Sequence, residues 1–303
     1  MVEPQVQQEP PVFVVGGQRS GTTMLRLMLN SHPHIAIPFE SDFIPQFYRR
    51  LADYGDLGAK ENVARLLDDI VEQPFVKRGK LVRDKAEILA HHPQSYPELI
   101  RAIYRVYAES EGKRRWGDKD PDYVTELDVL WKLFPGCRIV HLVRDGRDVA
   151  ISLRELDWGS KNLLKLARDW IWQVTLGHKM GAMLAPEYYM ETRYEDLVLE
   201  PEQTLRRICA FIGEQYFPEM LSYHETAATA MPIASLKYHG TSVRPPDTTK
   251  VQAWRRRMSA ADRILFEEVA SRTLREFGYE VEGLGNTWTS RLRQFYYGLF
   301  SRW

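Results

Sequence analysis

Short apolar runs recur along the chain at 12–16 (VFVVG), 34–37 (HIAI), 114–117 (RRWG), 137–143 (CRIVHLV) and 187–194 (EYYMETRY). Their length and their content of β-branched and aromatic residues predict strands. Between them the apolar positions fall at helical spacing. TMLRLMLNSH puts Met24, Leu25, Met28 and Leu29 on one face, and TELDVLWKLF and DVAISLREL repeat the pattern. Strands alternating with helices predict an α/β fold: a mostly parallel central sheet with helices on both faces, in three α/β/α layers.

Three stretches depart from this rhythm. Residues 41–111 form a long helical insertion rich in charged and aromatic residues, expected on the side where a substrate enters. Residues 213–250 hold four prolines without a period and end in RPPDTTK; a loop that long in a compact domain is read as a cover over substrate and cofactor. In SAADRILFEEVASRTLREFGYE, Ser259 is the expected N-cap, with Asp262 three residues on, and Gly278 the expected C-cap. The tail 281–303 closes on NTWTSRLRQFYYGLFSRW, an amphipathic segment with three arginines and no acid. It reads as a terminal helix packed on the body or on the twin subunit of a homodimer, with a membrane-surface helix as the competing reading.

Composition narrows the class. With 303 residues and 44% hydrophobic content the chain is long enough for a substantial core. Lysine plus arginine equals aspartate plus glutamate at 41 each, which gives no bulk charge for a nucleic acid. Cys137 and Cys209 are too few and too distant for a disulfide framework or a zinc site. The start MVEPQVQQEP, residues 1–10, is read as flexible and carries no leader pattern, and no apolar run reaches the about 18 residues of a membrane span. A cytoplasmic protein with no metal is expected.

Local chemistry concentrates at two strand-to-helix junctions. GGQRSGTTML, residues 16–25, follows the first strand and leads into a helix, as a phosphate-binding loop does. Gly16, Gly21 and Thr23 fit the G-x-x-x-x-G-K-S/T pattern, but Thr22 stands where that pattern has lysine and Arg19 lies inside the loop. Gly16 and Gly21 allow close backbone approach, Ser20, Thr22 and Thr23 add hydroxyls, and Arg19 adds a planar fork of donors. The second junction is RIVHLVRDGRDVAISL. Arg144 lies just past the strand, Gly146 opens a helix, and Ser152 follows eight residues later. A plain connection at the first junction and surface ion pairs at the second are the competing readings. Together they suggest a nucleotide with phosphate at two distant positions.

GGQRSGTTML resembles the 5′-phosphosulfate loop of the sulfotransferases, and RIVHLVRDGRDVAISL resembles their 3′-phosphate motif. With WGDKDPDYV, METRYEDLVLEPEQTLRRICAFIG and VQAWRRRMSAADRILFEEVA in order, the resemblance extends from about residue 11 to 280, a single P-loop-type sulfotransferase domain. It implies 3′-phosphoadenosine 5′-phosphosulfate (PAPS) as donor. The transferred group rides on a single 5′-phosphate, so the lysine that serves a magnesium triphosphate is dispensable. By position the resemblance assigns Arg19, Ser20, Gly21, Thr22 and Thr23 to the phosphosulfate, Arg144 and Ser152 to the 3′-phosphate, and Tyr194 to the adenine. Lys250 belongs to a late loop over the 3′-phosphate, although DTTK replaces the family's basic-glycine pattern there. An arginine at position 19 is similar to the tyrosylprotein, carbohydrate and bacterial branches.

Sulfuryl transfer needs a base for the acceptor and cations aimed at the leaving oxygen. Glu40, in AIPFESDFIP after the second strand, resembles the catalytic glutamate of the tyrosylprotein branch; otherwise it would be an acid at the start of a helix near Ser41. Lys119 in WGDKDP matches a lysine that neutralises the transition state, sharing that role with Arg19; pairing with Asp118 or Asp120 is the alternative. His32 and His34 are rival bases by chemistry. A P-loop small-molecule kinase is the second enzyme reading and a non-catalytic nucleotide-binding module the third. The acceptor, a hydroxyl or amine on a small molecule, sugar, lipid or peptide, would meet the insertion and the cover, where Phe43, Phe47, Tyr48, Tyr104 and Tyr107 are candidate pocket walls, with burial in the core as the competing reading for tyrosines at helical spacing.

Overall fold

In the computed structural model, five parallel strands, β1 (Val12–Val15), β2 (Ile35–Ala36), β3 (Arg115–Lys119), β4 (Arg138–Val143) and β5 (Tyr189–Arg193), form one sheet in the order β2-β3-β1-β4-β5. The structure describes residues 9–227 and 230–282. The expected flexible start up to residue 8 and the tail beyond Glu282 lie outside them.

Fourteen α-helices are described: α1 (Thr22–Asn30), α2 (Ile44–Tyr48), α3 (Lys60–Val71), α4 (Pro74–Gly79), α5 (Lys85–Ala90), α6 (Tyr96–Ser110) and α7 (Leu127–Leu133), then α8 (Gly146–Arg154), α9 (Leu163–Gly181), α10 (Tyr194–Leu199), α11 (Pro201–Ile212), α12 (Ile233–His239), α13 (Trp254–Arg257) and α14 (Ala260–Glu276). The three-layer expectation holds, and β1 shows why. Phe13 and Val15 pack into one core with Trp116, Phe134 and Tyr104, while Val12 and Val14 pack into another with Leu27, Leu197 and Ile208. Successive strand side chains point to opposite faces, so a strand apolar at every position must be covered on both. Trp116 anchors the first core, stacked on Tyr104 at 4.7 Å and edge-on to Phe13 at 5.9 Å. A third core joins Val143 to α8, α9 and α14.

Several boundaries differ from the sequence expectation in ways that matter for the site. The third strand runs on to Lys119, because the register pairs Val14 with Lys119; the lysine is the last residue of the strand rather than one beyond it. Tyr194 is the first residue of α10 instead of the end of a strand. The helix expected near Ser41 begins at Ile44. Helix α1 is buried from Thr22 through Leu29 on all sides, not on one face, since Met220, Tyr223 and Met231 cover its outer side. The segment 213–250 is a chain of short 3-10 turns with α12 set among them. At α14 the caps are as expected: Ser259 Oγ accepts from Asp262 N–H at 3.1 Å, and Gly278 has φ +74°.

Candidate functional site

A parallel sheet brings the carboxyl ends of its strands to one edge, and three of them carry the candidate chemistry. At the end of β1 the loop folds on itself: Ser20 N–H and Ser20 Oγ both donate to Gly17 O, at 3.0 and 2.5 Å. Gly16 has φ +151°, and a Cβ there would stand 2.4 Å from Leu142 O. Gly21, at φ +99°, caps α1, and a Cβ would strike the Tyr194 ring at 2.4 Å. Between them Arg19 is held at φ +67°. Such a conformation costs a non-glycine residue about 1–2 kcal/mol. The surroundings hold it: Arg19 Nε donates to Ser152 Oγ at 3.0 Å, Nη1 donates to Tyr238 O at 2.9 Å, and Arg19 O accepts from Arg144 Nη1 at 3.0 Å. No side chain caps α1, and a helix start of this kind presents backbone N–H groups and a positive dipole end to an anion.

The end of β4 supplies the second junction. Arg144 lies 4.1 Å over the Tyr194 ring and its Nη2 donates to Lys250 O at 3.1 Å. Trp170 Nε1 holds the Arg144 carbonyl at 3.0 Å. Asp145 caps α8 by accepting from Arg147 N–H. Arg147 is buried between Asp145 and Glu267 with its guanidinium 3.6 Å over Trp254. Burial, followed by the charge of Arg144, lowers the pKa of Arg19 from its usual value. Two guanidiniums this close are stable where an anion joins them.

The end of β3 brings a lysine against a carboxylate. Lys119 Nζ, fully buried, pairs with Glu40 Oε1 and donates to Thr23 Oγ1 at 3.3 Å. Glu40 keeps 15% of its side chain exposed. Behind it Ser41 is locked: its hydroxyl donates to Asp118 Oδ2 at 2.8 Å and accepts from Tyr104 OH at 2.9 Å. Burial holds Asp118 up at about 6 in spite of these bonds and one from its neighbour Lys119 N–H. The phosphate loop, Arg144, Glu40 and the cover open on one cavity of about 400 Å3.

The model of the sulfotransferase family matches residues 10–219, more than half of the chain. The chain belongs to the sulfotransferase family. This sulfotransferase is 22% identical over 82% of its length to the protein-tyrosine sulfotransferase of Drosophila melanogaster, and 25% identical over 81% to protein-tyrosine sulfotransferase 1 of Danio rerio. It spans 47% and 65% of those relatives, respectively. Among solved structures it is similar to the sulfotransferase domain from the Synechococcus PCC 7002 olefin synthase, with a TM-score of 0.61 and 21% identity, covering 89% of this chain and 95% of that one. The fold and the enzyme class expected from the sequence are thus those of the family, not of a P-loop kinase.

Of the residues singled out in the sequence, Arg19, Gly21, Thr22, Thr23, Glu40, Arg144, Ser152, Tyr194 and Lys250 line the cavity. Ser20 lies under the loop, and Lys119 reaches it through Thr23 and Glu40. The lysine pairs with Glu40, not with Asp118 or Asp120. His32 and His34 stand at the amino end of β2, the opposite edge of the sheet. With Glu214 they form a cluster whose ligand atoms lie within 4.8 Å of one another, but His32 Nε2 is bonded to Gln215 O at 2.8 Å, its Nδ1 accepts from His34 N–H, and Glu214 holds Arg114 and Arg115. The proposed aromatic walls are a correction: Phe43, Phe47, Tyr104 and Tyr107 are core residues, and Tyr48 packs against that core. Large side chains at helical spacing turned inward because α2 and α6 must bury one face each. The aromatic walls are instead Phe39, Phe75, Trp158 and Tyr238. Isolated aromatics in short elements gave no periodic signal, so the sequence did not single them out.

Proposed function

We propose that this enzyme transfers a sulfuryl group from PAPS to an acceptor hydroxyl or amine, with Glu40 as general base. The observation that carries the reading is the Glu40–Lys119 pair, set against Thr23 of the phosphate loop in the cavity that also holds Arg144 and Ser152. The residues fit such a donor. The uncapped start of α1 and the hydroxyls of Thr22 and Thr23 suit the phosphosulfate, while Arg144, whose Nε is buried without a partner, and Ser152 suit the 3′-phosphate. Tyr194, under the Arg144 guanidinium, lies where an adenine would meet an aromatic edge, and Lys250 closes the site from the cover.

When bound, the donor supplies an activated sulfuryl group on a phosphate leaving group. Glu40, with 15% of its side chain exposed, takes the proton from the acceptor oxygen or nitrogen as that atom attacks. Lys119 holds the Glu40 carboxylate in place, and with Arg19 it presents fixed positive charge where the leaving oxygen gains negative charge. Both cations are oriented before reaction by Thr23, Ser152 and the Tyr238 carbonyl. Asp42, Asp120 and Asp122 line the same cavity with Phe39 and Phe75, so the acceptor meets a wall both apolar and acidic.

Calorimetric titration with 3′-phosphoadenosine 5′-phosphate (PAP), beside adenosine triphosphate with magnesium, tests the donor. PAP alone is expected to bind. Glu40→Gln should retain PAP binding and lose turnover on any acceptor that the wild type sulfates. Binding of the triphosphate alone, or full turnover by Glu40→Gln, would overturn the reading.

A further inference from the structure

At the β4–α8 junction two buried polar atoms have no hydrogen-bond partner among the described residues: Arg144 Nε and Asp148 Oδ2. Both residues line the cavity, and they are only 8% and 2% exposed. Their other atoms are committed. Arg144 uses Nη1 and Nη2 on the carbonyls of Arg19 and Lys250, and Asp148 Oδ1 accepts from Trp254 N–H at 2.7 Å. Leaving a buried polar atom unpaired is costly. Two of them, on one wall of a ligand cavity, mark bonds that a ligand completes.

The two atoms are of different kinds. Arg144 Nε–H can only donate, whereas a carboxyl oxygen accepts when ionised and donates when protonated. A phosphate gripped by Arg144 therefore brings its negative oxygens toward a second anion. Like charges at contact distance resolve this by retaining one proton between them, as paired carboxylates do. We infer that Asp148 reads the donor: its 3′-phosphate binds across Arg144 and Asp148 with one proton held between Asp148 Oδ2 and a phosphate oxygen. The inference rests on the reading of PAPS as donor and adds a residue that neither the sequence motif nor the resemblance assigned to the ligand.

The surroundings favour that proton. Burial pushes the Asp148 carboxyl up to about 6, Arg144 at the end of β4 pulls it down, and Asp145 at the α8 cap and Glu195 on α10 push it up again. Tyr194, also on α10, and the Trp254 N–H on α13 complete the ring of groups facing it. A dianionic phosphate arriving on top of this pushes in the same direction as burial. Since binding takes up a proton, affinity is expected to be higher at low pH.

The test is calorimetric titration of the wild type and Asp148→Asn with PAP at pH 6.5 to 8.5, in buffers of different ionisation heat, with adenosine 5′-phosphate as comparator. Asparagine keeps the oxygen that holds Trp254 N–H and offers N–H to the phosphate without a proton. Wild type should take up about one proton more per PAP than the variant, and its affinity should fall by about tenfold per pH unit relative to the variant. Adenosine 5′-phosphate, lacking the 3′-group, should show no such difference. Equal proton uptake with parallel pH profiles would reduce Asp148 to a structural cap and overturn the inference while leaving the donor assignment intact. The same difference with adenosine 5′-phosphate would overturn it too. Failure of the wild type to bind PAP at all removes the donor reading as well. Should the variant melt well below the wild type, proton uptake by the wild type alone decides: net release at pH 7.5 rejects the inference.

Discussion

The cavity has a floor and a roof, built on different principles. The floor is the carboxyl edge of the sheet, where Lys119, Thr23 and Arg144 are buried and fixed by strand register and by two junctions. The roof is the segment 213–250, with the loop around Trp158, whose indole is 55% exposed. Beside the packing of Met220, Tyr223 and Met231 on α1 and the Glu214 ion pairs with Arg114 and Arg115, the two are joined in one way at three places. Arg19 donates to Tyr238 O, Arg26 to Ala230 O and Arg144 to Lys250 O, at 2.9, 3.0 and 3.1 Å. Floor arginines thus hold the roof by backbone carbonyls, which every residue possesses. At these three places the floor contributes a particular side chain and the roof only its backbone.

The largest expected effect is on the floor. Lys119→Ala removes the cation proposed to face the leaving oxygen and takes away the Glu40 ion pair, and should lower kcat by roughly 10²–10³-fold with PAP affinity changed far less. Steady-state kinetics beside calorimetry checks it; equal losses in both would make Lys119 a binding residue. Next comes a direct floor-to-roof contrast in donor affinity. Arg144→Ala should weaken PAP by about 1.5–3 kcal/mol, the range for a hydrogen bond to a charged group. Lys250→Ala keeps the carbonyl that Arg144 uses and should cost clearly less. If the two substitutions weaken PAP equally, the division between side-chain floor and backbone roof is wrong.

That division also decides what could be seen in the sequence. The floor was legible because its residues sit at fixed offsets from strand ends: Arg19, Thr23, Arg144 and Ser152 were found from the glycines and apolar runs beside them. Glu40 was found through the resemblance, not through any local pattern, since a carboxylate in a loop is common. Its partner could not be read, because the Lys119–Glu40 pair spans 79 residues and depends on β3 reaching two residues further than its apolar run suggests. The roof was legible only as an irregular, proline-bearing stretch. Contacts made through carbonyls leave no trace in side-chain type. The misread aromatics Phe43, Phe47, Tyr104 and Tyr107 show the same limit from the other side, since helical spacing tells that a face is buried and not whether core or ligand covers it.

Tyr104 sharpens the contrast within the floor itself. Its hydroxyl donates to Ser41 Oγ, which donates in turn to Asp118, so the residue next to Glu40 is held by a buried chain of hydrogen bonds. Tyr104→Phe deletes one donor and leaves the stacking on Trp116, and should cost about 1 kcal/mol of stability. The kinetic signature should lie in kcat, by a few-fold, with KM for the donor unchanged, because the change loosens Glu40 and touches no phosphate contact. A shift in donor KM alone would detach this chain of hydrogen bonds from the base.

The smallest effect is expected on the roof's outer edge. Lys237 on α12 pairs with Asp157 at 3.0 Å, and Tyr238 meets Trp158 edge-on at 6.4 Å. The ion pair is fully exposed, and pairs of that kind hold little against water and salt. Lys237→Ala should leave the melting temperature and PAP affinity unchanged, whereas Trp158→Ala, which removes an aromatic wall of the cavity, should raise the KM for an acceptor without altering kcat. The roof would then owe its place to the three carbonyl contacts together with its apolar packing on α1, and its selectivity to the aromatic pair. A drop in PAP affinity in Lys237→Ala at low salt, restored by no change in acceptor, would instead make the Lys237–Asp157 pair a latch that the floor arginines need in order to close the site.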